Sequence, residues 1–229
     1  MPINSGNAPR PHPEARNMGE SDSRFSEIVT TESQLRAVIG YPSHRVVRKH
    51  VDALDGHCRA FIANSPIVLV ASADATGNMD VSPKGDPSGF VRILDDRTLA
   101  IPERPGNRQA ATFSNLLENP HVGLLFLVPG KQETLRVAGT ATIVRDRWLR
   151  AEMCCAGSIP EFAIVVRVHE VFFHCAKFAI RSRLWDAAHW PDVSGLPSLA
   201  QVMVDAGKLE ETPQEMQALI DKDQRERLY

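Results

Sequence analysis

Residues 80–86 read DVSPKGD and residues 101–108 read IPERPGNR, and each segment follows an apolar run that is typical of a β-strand. Lys84 supplies a compact ammonium group. Arg104 and Arg108 supply planar guanidinium groups whose geometry matches phosphate oxygens. Three cations within two turn-rich segments predict an anion-binding pocket.

Neutral groups in the same two segments favour the same interpretation. Ser82 and Asn107 add hydrogen-bond donors, and Gly85 and Gly106 allow backbone N–H groups to approach an anion closely. Taken singly, each of these residues is also typical of a solvated turn. Together the two segments predict the two walls of a phosphate pocket.

Composition limits the class of ligand. The chain has 229 residues, a formal net charge of −2 and four cysteines, none in C-x-x-C spacing. A basic cluster in such a chain is local, which favours a small anion and argues against nucleic acid. The longest apolar run, residues 122–128, has the length of a strand and is too short to span a bilayer. We therefore predict no membrane partner. Reduced cysteines indicate a cytoplasmic protein.

Periodicity predicts the organisation of the chain. Four prolines among small polar residues predict disorder in residues 1–23. We expect N-terminal helices in 24–65, a strand-rich domain in 66–185 and a C-terminal helical extension in 186–229. Within the second segment, a capping box at Thr31 predicts a short helix, and Ser43 begins a second helix that continues until Pro66. The extension is expected to pack on the barrel or on a dimer partner.

Short strands separated by turns fill the strand-rich segment. Alternating and apolar runs predict at least six strands and one internal helix, a fold that is mostly β with flanking helices and forms a small antiparallel barrel. No G-x-G-x-x-G or P-loop motif is present. The predicted strands are 67–72, 79–82, 90–94, 98–101, 122–128, 134–145 and 162–175, with the internal helix at 109–117 and another helix starting near 146.

Five motifs occur in order and with compatible spacing. They are DVSPKGDPSGFV (80–91), PERPGNR (102–108), VGLLFLVPG (122–130), ETLRVAG (133–139) and FFHCAK (172–177). In these motifs, the chain resembles the pyridoxamine 5′-phosphate oxidase-like flavoproteins, and within them a bacterial subgroup of unassigned substrate. The resemblance covers about residues 30–200 and implies a Greek-key antiparallel FMN-binding split β-barrel over 66–185.

The resemblance also implies where FMN is held. The cofactor would lie at a homodimer interface, with backbone at Val81 to Pro83 along the flavin edge and the partner chain covering part of the ring. The implied cofactor-binding residues are Val81, Ser82, Pro83, Lys84, Arg104, Asn107 and Arg108 from one chain and Arg136, Arg183 and Trp185 from the partner.

The function implied by the resemblance is that of an FMN-dependent oxidoreductase, with hydride transfer between flavin and a small organic substrate or NAD(P)H. We predict no metal site and assign no catalytic side chain; Arg136 or Arg183 is the hypothesised cation beside the reduced flavin. The chain ends without the R-x-H and R-L-x-P signatures of pyridoxamine phosphate oxidases, so vitamin B6 oxidation is not implied. The alternatives are a non-catalytic flavin, haem or deazaflavin binding module and an assembly protein.

Overall fold

The structure, a computed structural model, describes residues 24–229 and divides the chain into units 1–43 and 44–229. The predicted disordered segment 1–23 lies outside the described residues. In the first unit, α1 (Glu32–Ile39) begins with the predicted capping box, in which Thr31 accepts from the Gln34 amide and the Gln34 side chain accepts from the Thr31 amide. The helix ends at Gly40, whose φ of 70° favours glycine.

The second unit begins with two short helices where the sequence predicted a single long one. Helix α2 (His44–Arg48) ends before Val51, which forms an isolated antiparallel bridge with Val171. Helix α3 (Gly56–Asn64) starts anew because the Asp55 side chain accepts from the Cys58 amide. The predicted continuous helix is therefore wrong: a backbone bridge and a cap interrupt its apolar periodicity.

Seven strands of the described residues form one antiparallel sheet in the order β2-β1-β5-β6-β7-β4-β3. The predicted strands and the mostly β class with flanking helices are confirmed. The strands are β1 (Ile67–Ala73), β2 (Met79–Gly85), β3 (Arg92–Asp95), β4 (Thr98–Pro102), β5 (His121–Leu127), β6 (Thr134–Val144) and β7 (Ala163–His174).

The remaining helices lie between the strands in the chain or follow the last strand. Within 44–229 the remaining helices are α4 (Ala111–Glu118), α5 (Arg147–Glu152), α6 (Lys177–Ser182), a 3₁₀ turn (Ala187–His189), α7 (Leu199–Gly207) and α8 (Pro213–Glu226). In residues 24–229 no helix combines the length and the apolar character that crossing a membrane requires.

The core lies inside the curved sheet, and alternate residues of β1 and β5 face it. On β1, for example, Val68 and Val70 are fully buried while their neighbours are half-buried. The β6 and β7 pair forms the longest ladder and contains a bulge between Ala138 and Gly139. A Cβ on Gly139 would lie 2.0 Å from the Arg167 carbonyl oxygen, so only glycine fits this close backbone approach.

β2 and β3 follow each other in the chain but occupy the two opposite edges of the sheet. Residues 86–91 connect them, and helix α4 crosses behind β1, where Asn115 donates to the buried hydroxyl of Ser72 at 3.0 Å. No ladder joins β2 to β4 in the described chain. The end of β2 and the segment after β4 face each other here without a ladder, and we call this place the split of the barrel.

Candidate functional site

The split cleft lies between residues 80–86, which include most of β2, and residues 102–107, which begin at the last residue of β4. It has a volume of about 540 Å³, in the range of small-molecule sites. Six of the ten predicted cofactor-binding residues line it. They are Val81, Ser82, Pro83, Lys84, Arg104 and Asn107.

Two ion pairs cross the split. Lys84 Nζ lies 2.6 Å from Glu103 Oε2, and both Nε and Nη2 of Arg104 lie 2.7 Å from Asp86 Oδ2. The Lys84 and Arg104 side chains are 15% and 14% exposed, and the Asp86 side chain is 2% exposed. Side chains therefore close the gap that backbone hydrogen bonds leave open.

Arg104 is the central cation of the cleft. Besides Asp86, its Nη2 donates to the Met153 carbonyl oxygen at 2.8 Å. Its Nη1 is buried and has no hydrogen-bond partner, a property it shares among the described side chains with Thr134 Oγ1. A buried guanidinium nitrogen without an acceptor is costly, so this position fits an anionic ligand.

The loop before α4 has unusual backbone geometry. Arg108 and Ala110 have φ values of 63° and 52°, in the left-handed region that non-glycine residues rarely adopt. Asn107 stabilises this turn, because its side-chain oxygen accepts from the Gln109 amide at 3.0 Å. Asn107 also lines the split cleft, and its side-chain NH₂ is not used in this contact.

Comparison with known families identifies the chain at the family level. Residues 54–175 match the family model described as pyridoxamine 5′-phosphate oxidase. The chain belongs to the pyridoxamine 5′-phosphate oxidase family. The resemblance read from the five motifs is thereby confirmed, together with the split-barrel fold.

Solved structures similar to this family member share about half of its length. HupZ of Group A Streptococcus is 21% identical, covering 52% of this chain and 92% of its own, with a TM-score of 0.43. HutZ of Vibrio cholerae, a heme storage protein, is 16% identical, covering 52% and 93%, with a TM-score of 0.39. No curated protein matches the chain.

The other four predicted residues lie outside the split cleft. Arg108 lines an adjoining cleft that shares Arg104 and Asn107 with it. Arg136 lines a second cavity of about 450 Å³ on the outer face of the sheet, with its guanidinium 5.3 Å from the Phe172 ring centroid. Val81 lines both the split cleft and this second cavity.

Arg183 and Trp185 follow β7 and line neither cavity. Arg183 ends α6 with a φ of 51°, and the Trp185 indole N–H donates to the Lys131 carbonyl oxygen at 2.6 Å. One chain of this family member therefore does not bring these two residues to the split cleft. Their predicted contribution from a partner chain stays a prediction.

Sequence reasoning missed three residues of the cleft. Asp86 and Glu103 stand inside the two segments quoted first, so the sequence shows their carboxylates but not the cations with which they pair. Tyr229 lies 143 residues from Asp86, yet its hydroxyl donates to Asp86 Oδ1 at 2.8 Å. No local pattern announces a contact of that separation.

Two further features describe the chemistry around the sheet. Burial raises the pKa of the Cys58 thiol to about 11, so this cysteine is a neutral core residue rather than a nucleophile. Among residues 24–229, no group of three or more His, Cys, Asp and Glu side chains is placed to hold a metal ion.

Proposed function

We propose that this family member is an FMN-dependent oxidoreductase that transfers hydride between flavin and a small organic substrate or NAD(P)H. The observation that carries the proposal is Arg104, which lines the split cleft and has a buried Nη1 without a hydrogen-bond partner. The cofactor phosphate is assigned to this position, with Lys84 and Asn107 as further donors.

The donor set fits a phosphate monoester. Arg104 has one free guanidinium nitrogen, and Lys84 is a point charge that can exchange Glu103 for a phosphate oxygen. Ser82 offers a hydroxyl from the same edge strand. Gly106 has open space where a side chain would stand, so the backbone of the turn can approach the ligand.

The flavin ring is assigned to the edge of β2, near Val81. Val81 is 58% exposed and separates the split cleft from the second cavity, which Arg136 lines. The flavin, when bound, supplies hydride acceptance and donation. The residues of the chain bind its phosphate, orient the ring and, through Arg136 or Arg183, place positive charge beside it.

We further propose a homodimer with cofactor at the interface, to which the partner would bring Arg183 and Trp185. The outer face of β1, β5 and β6 supports this, because it is largely apolar at positions that alternate with the core residues. The apolar outward positions include Leu69, Ala71, Gly123, Leu125 and Ala138, and Arg136 lies on the same face. A cytoplasmic location stays a prediction.

The absorption spectrum of the protein, recorded after FMN addition and desalting, tests the proposal. We expect a retained flavin spectrum that disappears in a folded Lys84→Ala, Arg108→Ala double variant, because Arg108 lines the adjoining cleft that shares Arg104 and Asn107 with the split cleft. A double variant of the exposed cations Arg147 and Lys222, each changed to Ala, is the matched control and should retain flavin.

Two outcomes contradict the proposal in different ways. A wild-type protein that retains no FMN refutes the flavin assignment, and haem and a deazaflavin are then the cofactors to add. A protein that retains FMN but bleaches with neither NADPH nor NADH nor any donor of a small-molecule screen is a binding module, the alternative interpretation of the sequence.

A further inference from the structure

The segment after α8 forms part of the split cleft. Arg227 donates through Nη2 to the Gly106 carbonyl oxygen at 3.1 Å and pairs through Nη1 with Asp223 at 2.6 Å. Leu228 and Tyr229 then line the cleft itself. We call residues 227–229 the tail clamp.

Tyr229 contacts both members of the central ion pair. Its hydroxyl donates to Asp86 Oδ1 at 2.8 Å, and its ring centroid lies 5.6 Å from the Arg104 guanidinium carbon. Nε and Nη2 of Arg104 both contact the other carboxylate oxygen, Asp86 Oδ2. Both oxygens of this buried carboxylate are thus engaged, one by the guanidinium and one by the phenol.

This arrangement has an electrostatic effect on any anion in the cleft. Without the phenol, Asp86 Oδ1 would be a buried acceptor without a donor, and it would compete with a phosphate for the Arg104 guanidinium. With the phenol in place, that oxygen is satisfied and Arg104 is held with Nη1 as its only unpartnered nitrogen. The cleft keeps a volume of about 540 Å³ with the clamp docked, so the clamp is a wall of the site and does not fill it.

We infer that the tail clamp belongs to the phosphate site, and that Tyr229 is a positioning residue for phosphate monoesters that acts through Asp86 and Arg104. This inference rests on the proposed function, because it names FMN as the ligand of the cleft. Docking of the clamp and binding of the phosphate stabilise each other, and this coupling is reciprocal.

The test compares FMN with riboflavin, which has the same ring but no phosphate. In Tyr229→Phe, which deletes only the hydroxyl, FMN affinity measured by flavin fluorescence should fall about 5- to 10-fold. Riboflavin affinity should not change. The sequence has two tyrosines, and Tyr41→Phe, in the other unit, is the matched control with unchanged affinity for both ligands.

A second variant and a second measurement make the test independent of activity. Arg227→Gln, which loses the contact with Gly106, should weaken FMN about 3-fold and leave riboflavin unchanged. When the protein is labelled with 3-fluorotyrosine, its two tyrosines give two ¹⁹F NMR resonances. The Tyr41→Phe variant lacks one of them, so the resonance that remains belongs to Tyr229. Inorganic phosphate alone should shift that resonance.

The outcomes separate the inference from the proposed function. If Tyr229→Phe weakens the binding of FMN and of riboflavin by the same factor, the role of Tyr229 is merely structural and the inference is overturned. Unchanged FMN affinity in this variant also overturns it. A Tyr229 resonance that neither FMN nor phosphate shifts also overturns it. A wild-type protein that binds no FMN refutes the proposed function, and the inference falls with it.

Discussion

The closed side of the barrel and its split are held together by different kinds of bond. On the closed side, β6 and β7 pair along almost their whole length through backbone hydrogen bonds. At the split, β2 and the segment after β4 are joined by the side chains of Lys84 with Glu103 and of Arg104 with Asp86. Backbone hydrogen bonds thus close one side of the barrel, and side-chain ion pairs close the other.

This difference explains where a ligand can enter. A backbone ladder satisfies donors and acceptors internally and leaves none for a ligand. An ion pair can exchange one partner for an anion, since a phosphate can replace the Glu103 carboxylate beside Lys84. We therefore expect substitutions of core residues on the closed side to change stability alone, and substitutions at the split to change both stability and ligand affinity. Arg136 is not a core residue, because it lies on the outer face of β6.

The largest expected effect is on the closed side, at Gly139. In Gly139→Ala, the new Cβ would stand 2.0 Å from the Arg167 carbonyl oxygen, so one of the two backbones must move. We expect a loss of about 4 kcal/mol or more in the free energy of unfolding, measured by denaturant titration.

Gly123→Ala is the control for this loss, because its Cβ would meet only the Ala71 side chain at 3.8 Å, an ordinary contact. Its unfolding free energy should stay close to that of the wild type. Comparable losses in both variants would show that the bulge is not what makes Gly139 necessary.

The next effect is at the split, in Arg104→Ala. This change leaves the Asp86 carboxylate, 2% exposed, without its cation, and should lower stability by about 2 to 3 kcal/mol. It should also abolish FMN retention, which no closed-side variant that stays folded should do. Thermal unfolding and the flavin spectrum measure the two effects.

A double variant tests the cause of that instability. Arg104→Met combined with Asp86→Leu removes both charges, and it should be more stable than Arg104→Ala because no buried charge stays unpaired. If the double variant is the less stable of the two, packing rather than charge dominates at Arg104.

A smaller effect, with the opposite sign for binding, is expected at Glu103. Glu103→Gln frees Lys84 from its carboxylate and should raise FMN affinity about 3- to 10-fold, by removing a competitor of the phosphate. Fluorescence titration measures it. Glu161→Gln makes the same change in an exposed pair with Arg145 and should leave affinity unchanged; weaker FMN binding in Glu103→Gln would exclude exchange at Lys84.

The smallest effect is at the N-terminal cap of α3, whose buried residues Cys58, Phe61 and Ile62 pack into the core. The Cys58 amide donates to Asp55 and holds the pKa of that carboxyl below its ordinary value. A lowered folded pKa gives stability that is present above the unfolded pKa, about 3.9, and lost as pH falls through the folded value.

Asp55→Asn should therefore keep the cap and remove its pH dependence, whereas Asp55→Ala should cost about 1 kcal/mol at neutral pH. Unfolding free energies at pH 7 and at acid pH measure both. An Asn variant that loses as much stability on acidification as the wild type would exclude Asp55 as the titrating group.

Much of the closed side was predictable, because strand alternation and turn residues are local signals. The β1 and β2 hairpin and the long β6 and β7 strands were predicted with small errors at their ends. The single helix from Ser43 to Pro66 was wrong, because its interruption depends on a bridge between Val51 and Val171 that only the folded sheet creates.

The cations of the split were predictable and their partners were not. Lys84 and Arg104 stand in turn-rich segments with suitable chemistry, and the structure brings both to one cleft. Their pairing with Glu103 and Asp86 depends on how two sheet edges meet, and Tyr229 reaches Asp86 from a distant helix. Local patterns carry no information on such distances.

The short connection of residues 86–91 between opposite sheet edges has a mechanical consequence. Seven flat strands would place β2 and β3 about 29 Å apart, as six spacings of about 4.8 Å. The seven Cα steps from Gly85 to Arg92 reach at most about 24 Å. The connection therefore acts as a tether between the two edge strands. The sheet cannot flatten while the tether is intact, and the length of the tether limits the distance between β2 and β3.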